Sequence, residues 1–312
     1  MLKNLACLQP TLNNLFYPPA KDDYVYFEGP AFHSDPAFRF ANASWAADAA
    51  MLAYARYQAT RMNEADLNGI LDPHFTTTGT IGDCFVDNAS TGRGFFAGND
   101  TFAILAFRGT ERDNEHDILA DLDVPLVDEE AGGQSAGRVH QGFQGYLRSI
   151  LPRVEELVAA YRVDHPAQEI CITGHSLGAA MAVLAFLQLQ DQHISLYTFG
   201  CPRVGNPQFC LSLQNLAKTR PVYYFIDNED VVTHIPPPIP IVGYQHPICT
   251  IFVIDPQGGI AQHANHPSAI SEVKPTDLRD FLEGTWKVNV PLPRPLADHS
   301  PVRYCHWISL KA

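Results

Sequence analysis

A chain of 312 residues with 46% hydrophobic content is long enough for one large α/β domain with a substantial core. Its 21 basic and 34 acidic residues leave a formal net charge of −13, which argues against nucleic acid and strongly anionic bilayers, since both need clustered positive charge. No apolar run reaches the roughly 18 to 20 residues that span a bilayer, so stable membrane insertion is not expected.

The N-terminus lacks a basic cluster followed by a sustained apolar core, and Pro10, Asn13 and Asn14 break what would be one, so a cleavable signal peptide is not expected. The seven cysteines show no paired spacing and no CxxC, which fits reduced, buried thiols. Together these features predict a cytoplasmic location, with secretion the alternative if a leader has been removed.

Residues 1 to 40, rich in proline, aromatic and polar residues, predict an irregular N-terminal arm. Ser44 to Tyr57 reads as a helix, with Trp45, Ala49, Leu52 and Ala53 on one face and Ser44 as its N-cap. Phe95-Phe96-Ala97, the turn Gly98-Asn99-Asp100 and the run Thr101 to Phe107 predict a β-hairpin. The second run is apolar at nearly every residue, as a strand covered on both faces requires. Short β-rich runs follow at Ile170–Thr173, Ile194–Phe199, Val222–Ile226 and Thr250–Ile254. Helical stretches lie between several of them, at Val154–Tyr161, Leu177–Gln190 and Pro207–Ala217. This alternation predicts an α/β fold whose central sheet is mostly parallel, with helices on both faces. The run Pro236-Pro237-Pro238-Ile239-Pro240 cannot be the interior of a helix or sheet. Residues 256–297, with Gly258-Gly259, six prolines and one helix-like piece at Thr276–Trp286, read as a cap-like excursion from the sheet within a single domain.

Chemistry enters at Gly174-His175-Ser176-Leu177-Gly178. A GxSxG pattern alone arises by chance about one time in ten in a chain this long. Here it follows a short strand and runs into an apolar helix, the arrangement of the nucleophile elbow in the α/β-hydrolase fold. Such a turn holds its serine in a strained backbone conformation that exposes Oγ, while glycines on either side let strand and helix approach closely. The helix N-terminus then faces the oxyanion. An activated serine needs a histidine, and the histidine an orienting carboxylate, in the chain order nucleophile, acid, histidine. Asp227, Glu229 and Asp230 follow the strand Val222–Ile226, and Asp255 follows the next; the residues alone leave all four open. His299 and His306 are the C-terminal histidines, with His263 and His266 earlier. His175 is expected to pack beneath the elbow. The HxxH spacing of His263 and His266 lacks a cysteine or acidic partner at ligand spacing, so no metal is expected.

Several segments in order resemble the class 3 lipases: Phe107-Arg108-Gly109-Thr110 (FRGS or FRGT), Val139 to Phe143 (VHxGF), Gly174 to Ala180 (GHSLGGA), Phe199 to Asn206 (FGxPRVGN) and Asn228 to Pro237 (NxxDIVPxLPP). The resemblance implies the α/β-hydrolase fold with a short lid and no cofactor. It implies Ser176 as nucleophile, Asp230 as acid and, through Asp298-His299-Ser300, His299 as base. It places the oxyanion hole at Thr110 and the backbone N–H of Leu177. Two departures stand out: Ala179 replaces the usual second glycine, and Thr233 a proline that often follows the acid.

The implied activity is carboxylic-ester hydrolysis by a triacylglycerol lipase or esterase, acting on a small-molecule or lipid ester. Phospholipase and feruloyl-type esterase are alternatives on the same scaffold. A retired hydrolase fold kept for binding is the alternative from another class; it would lack Ser176, Asp230, His299 or Thr110, and all four are present. The implied lid, Glu111 to Val127, is strongly acidic, with only Ile118, Leu119, Leu122 and Val124 as an apolar face. Transient contact with a lipid interface fits it better than strong anchoring, and a soluble or short-chain ester becomes plausible.

Overall fold

The computed structural model describes residues 8–11, 15–16, 24–35, 37–55, 64–81, 92–109, 125–227, 229–236, 243–247, 249–264, 292 and 294–312. Thr110, the lid residues Ile118, Leu119 and Leu122, His266 and the Thr276–Trp286 piece lie outside the described residues.

Among the described residues an eight-stranded sheet runs in the order β1-β2-β3-β6-β7-β8-β9-β10. The strands are β1 (Thr77–Ile81), β2 (Gly94–Gly98), β3 (Phe102–Phe107), β6 (Glu169–His175), β7 (Ile194–Phe199), β8 (Val222–Asp227), β9 (Thr250–Ile254) and β10 (Ile260–Ala264). From β3 to β9 the pairing is parallel, and both edges are antiparallel. The hairpin expected from the sequence is β2–β3, and Asn99 Oδ1 fixes its turn by accepting from the amides of Thr101 and Phe102. A separate hairpin, β4 (Leu126–Ala131) and β5 (Gln134–His140), leads into helix α3 (Gln141–Asp164).

Period-two alternation splits the central strands between two apolar layers. Leu105, Phe107, Ile170, Ile172, Tyr224 and Ile226 face α3, α4 (Leu177–Gln188) and α5 (Pro207–Leu216). Ile104, Ala106, Cys171, Tyr223 and Phe225 face α1 (Phe40–Leu52) and α7 (Pro301–Ser309), which follows the short helix α6 (Arg294–Ala297). A further short helix, α2 (Glu64–Leu71), adds Leu67, Ile70 and Leu71 to the second layer. Each fully buried large side chain contributes about 1.5 to 3 kcal/mol, which is why the central strands read as continuous apolar runs.

Three boundaries differ from expectation. Helix α1 begins at Phe40, with Arg39 as N-cap, so Ser44 lies inside the helix instead of capping it. Tertiary contacts move the start: Phe40 packs on Phe38 and Phe252, and the Asn42 amide bonds both backbone groups of His33. Helix α3 extends well beyond Val154–Tyr161 because the side chain of His140 caps its start, accepting from the amides of Gly142 and Phe143. Part of the 256–297 excursion belongs to the sheet, since β10 pairs with β9 across the Asp255 turn.

Candidate active site

Strand β6 ends at His175, and α4 begins at Leu177, leaving Ser176 alone in the turn with φ 58° and ψ −128°. A non-glycine residue at positive φ is strained, and here the strain is borne by a core that fixes both neighbours. The Ser176 amide donates to Phe199 O at 3.1 Å, tying the elbow to β7. A Cβ on Gly178 would strike the Phe107 carbonyl of β3, so glycine is needed for α4 to cross the sheet this closely. Ala179, the departure from the family pattern, sits fully buried in the core. The amide of Leu177 belongs to the first turn of α4, where backbone N–H groups have no partner within the helix.

The fold brings three of the expected residues together. His299 Nε2 lies 2.8 Å from Ser176 Oγ, and His299 Nδ1 lies 2.8 Å from Asp230 Oδ2. All of Asp230 and nearly all of His299 is buried. Asp230 caps a 3-10 turn, Val231–His234: Oδ1 accepts from Val232 N at 2.9 Å, leaving Oδ2 for the histidine. Thr233 takes over the missing proline's task of fixing this loop, its hydroxyl donating to Asp230 O at 2.8 Å.

The other carboxylates are engaged elsewhere. Asp227 pairs with Arg303 at 3.4 Å, Glu229 with Arg294 at 3.4 Å, and Asp255 accepts from the amides of Gln257 and Gly259. His306 lies on α7 beside Trp307, and His263 lies on the edge strand β10. Among the described residues no group of three or more His, Cys, Asp or Glu could hold a metal ion.

Further residues support the trio: Tyr304, Tyr54 and Gly200, which the sequence leaves unmarked, and His175, which packs beneath the elbow as expected. Tyr304 Oη donates to Asp230 Oδ2 at 2.6 Å and accepts from Asp227 N at 2.9 Å. Burial, then the nearby Asp230 and Asp227 carboxylates, raise this phenol well above its ordinary value, so it remains a donor. Ser300-Pro301 is a helix-start signal that could have placed Tyr304 one turn into a helix behind His299. Beneath the elbow, His175 Nε2 is 2.7 Å from His299 O and Nδ1 is 2.8 Å from Tyr54 Oη. A carbonyl accepts only, so Nε2 carries the proton and Nδ1 accepts from Tyr54. Burial, reinforced by His299, pushes the His175 pKa well down and keeps this ring neutral. Gly200 has φ 57°, and a Cβ there would come within 2.7 Å of Asp230 Oδ2 and 3.0 Å of His299 Nδ1. The absent side chain makes room for the acid and histidine to meet.

A mostly parallel sheet with helices on both faces, and a strained serine at the strand-to-helix turn joined through histidine to a buried aspartate, define the α/β-hydrolase fold. Residues 104–239 match the family model described as lipase (class 3). Over this segment the chain is similar to the class 3 lipases. It is 29% identical over 150 residues to a lipase of Rhizopus niveus, covering 46% of this chain and 36% of that one. It is 28% identical over 151 residues to the secreted mono- and diacylglycerol lipase MDL2 of Malassezia globosa, covering 46% of this chain and 49% of that one. The chain thus spans between about a third and a half of the length of these relatives. The fold matches the crystal structure of a lipase from Rhizopus microsporus var. chinensis with a TM-score of 0.56 and 22% identity, over 86% of this chain and 90% of that one.

A relative named as secreted gives no support to the cytoplasmic placement expected from the thiols. Cys171, Cys201, Cys210, Cys249 and Cys305 are free and buried. Among the described residues no helix is long and apolar enough to cross a membrane.

Proposed function

We propose that the chain is a serine carboxylic-ester hydrolase of the lipase/esterase type, with Ser176 as nucleophile, His299 as base and Asp230 as acid. The observation that carries this reading is the continuous hydrogen-bonded path from Ser176 Oγ through His299 to Asp230 Oδ2. His299 takes the serine proton as Oγ attacks the ester carbonyl. Asp230 fixes the tautomer with the proton on Nδ1 and stabilises the imidazolium that forms. The Leu177 N–H, together with Thr110 as the family resemblance implies, receives the oxyanion; one such donor typically lowers the barrier by about 3 to 4 kcal/mol. His299 then protonates the leaving alcohol. Water attacks the acyl-enzyme with the roles reversed, releasing the carboxylic acid and restoring Ser176.

The substrate is read as a lipid or short-chain ester; the resemblance implies a lid in the acidic stretch from Glu111 to Val127, of which Leu126 and Val127 instead belong to β4. That polar composition favours dissolved or short-chain esters over tight interfacial anchoring.

A fluorophosphonate probe tests the chemistry: it should label the wild-type chain and leave Ser176→Ala unlabelled. Unmodified Ser176 in folded protein would favour a retired hydrolase fold. Rates on p-nitrophenyl esters of increasing chain length, with triolein and a phospholipid alongside, then sort esterase, lipase and phospholipase. A sharp rise above the solubility limit of the substrate would identify a working lid.

A further inference from the structure

Among the described residues, the ring of His299 has two aromatic neighbours besides its hydrogen-bond partners. His175 packs at a centroid distance of 4.5 Å, and Phe16 meets it edge-on at 5.6 Å and 71°. Phe16 comes from the N-terminal arm, far in sequence from the elbow and outside the segment that matches the family model. It also stacks on Tyr54 at 5.7 Å, and Tyr54 bonds His175. The four side chains therefore close a ring of contacts: Phe16 to Tyr54, Tyr54 to His175, His175 to His299, and His299 back to Phe16.

The first described residues of the arm, between Leu8 and Phe16, bond to the segment that carries the histidine. Ser300 Oγ donates to Leu15 O at 3.0 Å, the Leu292 amide donates to Pro10 O at 2.9 Å, and Arg303 reaches Leu8 O at 3.3 Å. Leu15 and Phe16 are buried in a small apolar cluster with Tyr54, Leu292, Leu296 and Ala297, apart from the two main layers. Surface arms usually touch core elements wherever an apolar patch is open. This one grips the base-bearing segment on both sides of His299.

The physical consequence concerns one degree of freedom. Hydrogen bonds at Nδ1 and Nε2 and the Cβ–Cγ bond set the position of the imidazole, and packing against its faces and edges narrows the χ1 and χ2 motion that remains. A small displacement of a reacting group costs rate steeply. We infer that Phe16 is a positioning residue for His299, and that the N-terminal arm is part of the catalytic apparatus. The inference rests on the ester-hydrolase reading for its kinetic consequence, while its geometric part can be measured separately.

The test uses the full chain with three variants: Phe16→Ala, Phe16→Leu and Ser300→Ala. Steady-state rates on p-nitrophenyl butyrate are combined with the proton NMR signal of the His299 ring N–H bonded to Asp230, and folding is checked by circular dichroism. Phe16→Ala should lower kcat by about 10- to 100-fold with KM within two-fold, and should shift or broaden the ring proton. Phe16→Leu, which refills most of the space, should recover most of the rate. Ser300→Ala, which cuts the tether to Leu15 with little change of volume, should lower kcat several-fold. A folded Phe16→Ala variant with wild-type kcat and an unmoved ring proton overturns the inference. If that variant does not fold, an unchanged rate and ring proton in Ser300→Ala overturn it instead. A wild-type chain that resists the fluorophosphonate probe would sink the hydrolase reading alone, since the ring proton still reports whether Phe16 holds His299.

Discussion

Tyr304 Oη and His299 Nδ1 converge on the same oxygen, Oδ2 of Asp230, at 2.6 and 2.8 Å. The phenol thus bonds the same carboxylate oxygen as the imidazole, while its own oxygen satisfies the buried amide of Asp227. Replacing Tyr304 by Phe removes one donor to a carboxylate and orphans that amide. Hydrogen bonds to charged groups are worth about 1.5 to 3 kcal/mol, so kcat/KM is expected to fall by about ten-fold or more, and the melting temperature to drop. A variant with unchanged rate and unchanged melting would assign the hydroxyl no role.

Asp230→Asn keeps the shape of the acid but offers an amide in place of the carboxylate. With an N–H facing Nδ1, the imidazole would carry its proton on Nε2, where it cannot accept from Ser176. A loss of about four orders of magnitude in kcat is expected, by analogy with the same change in other serine hydrolase triads, with little loss of stability. Burst kinetics on a p-nitrophenyl ester measure it; a loss below ten-fold would move the acid's role to another carboxylate.

Gly200 predicts an effect on the site more than on the fold. Alanine there must adopt φ near 57° and press its Cβ on the Asp230–His299 bond. Strain of this kind costs about 1 to 3 kcal/mol, and the displaced pair should lose far more in rate than in stability. Comparing kcat with the urea midpoint for Gly200→Ala separates the two, and equal proportional losses would count against this account.

Asp227 sets a pH dependence of stability. Burial first, then the Asp298 carboxylate, push its carboxyl up to about 8 against the pull of Arg303. An unfolded aspartate titrates near 4, roughly, so over the interval from there to about 8 the folded state holds a proton that the unfolded state lacks. The stabilisation is complete below the unfolded value and is lost as pH rises through the folded one. Asp227→Asn, a mimic of the neutral acid, should flatten the fall of melting temperature between about pH 5 and 9 and melt above the wild type at the upper end. Parallel melting curves for the two proteins would refute the assignment.

Much of this architecture is local and therefore legible in the residues. Continuous apolar runs mark strands covered on both faces, and Asn99 with Gly98 marks the hairpin turn. The elbow can be read from Gly174 to Gly178 because a sharp strand-to-helix turn needs small residues at fixed spacing. Helix starts were less legible: Ser44 looks like a cap, yet Phe40 and Asn42 pull the helix start forward through contacts with Phe252 and His33. Part of the 256–297 segment joins the sheet, because β9 offers an edge that its composition does not reveal.

By itself the sequence determined the sharp turn that presents Ser176 and the alternation of strands and helices that makes a mostly parallel sheet. Choosing among four carboxylates by residue type was not possible, and only the ordered resemblance singled out Asp230. The tertiary structure decided which groups meet: His299 reaches Asp230 across 69 positions of chain and Ser176 across 123. It also decided that Tyr304, Tyr54 and Phe16 stand behind them. The reason is one of range. A turn is fixed by the dihedral preferences of neighbouring residues, whereas a buried hydrogen bond between distant residues depends on strand order and on two apolar layers closing around it.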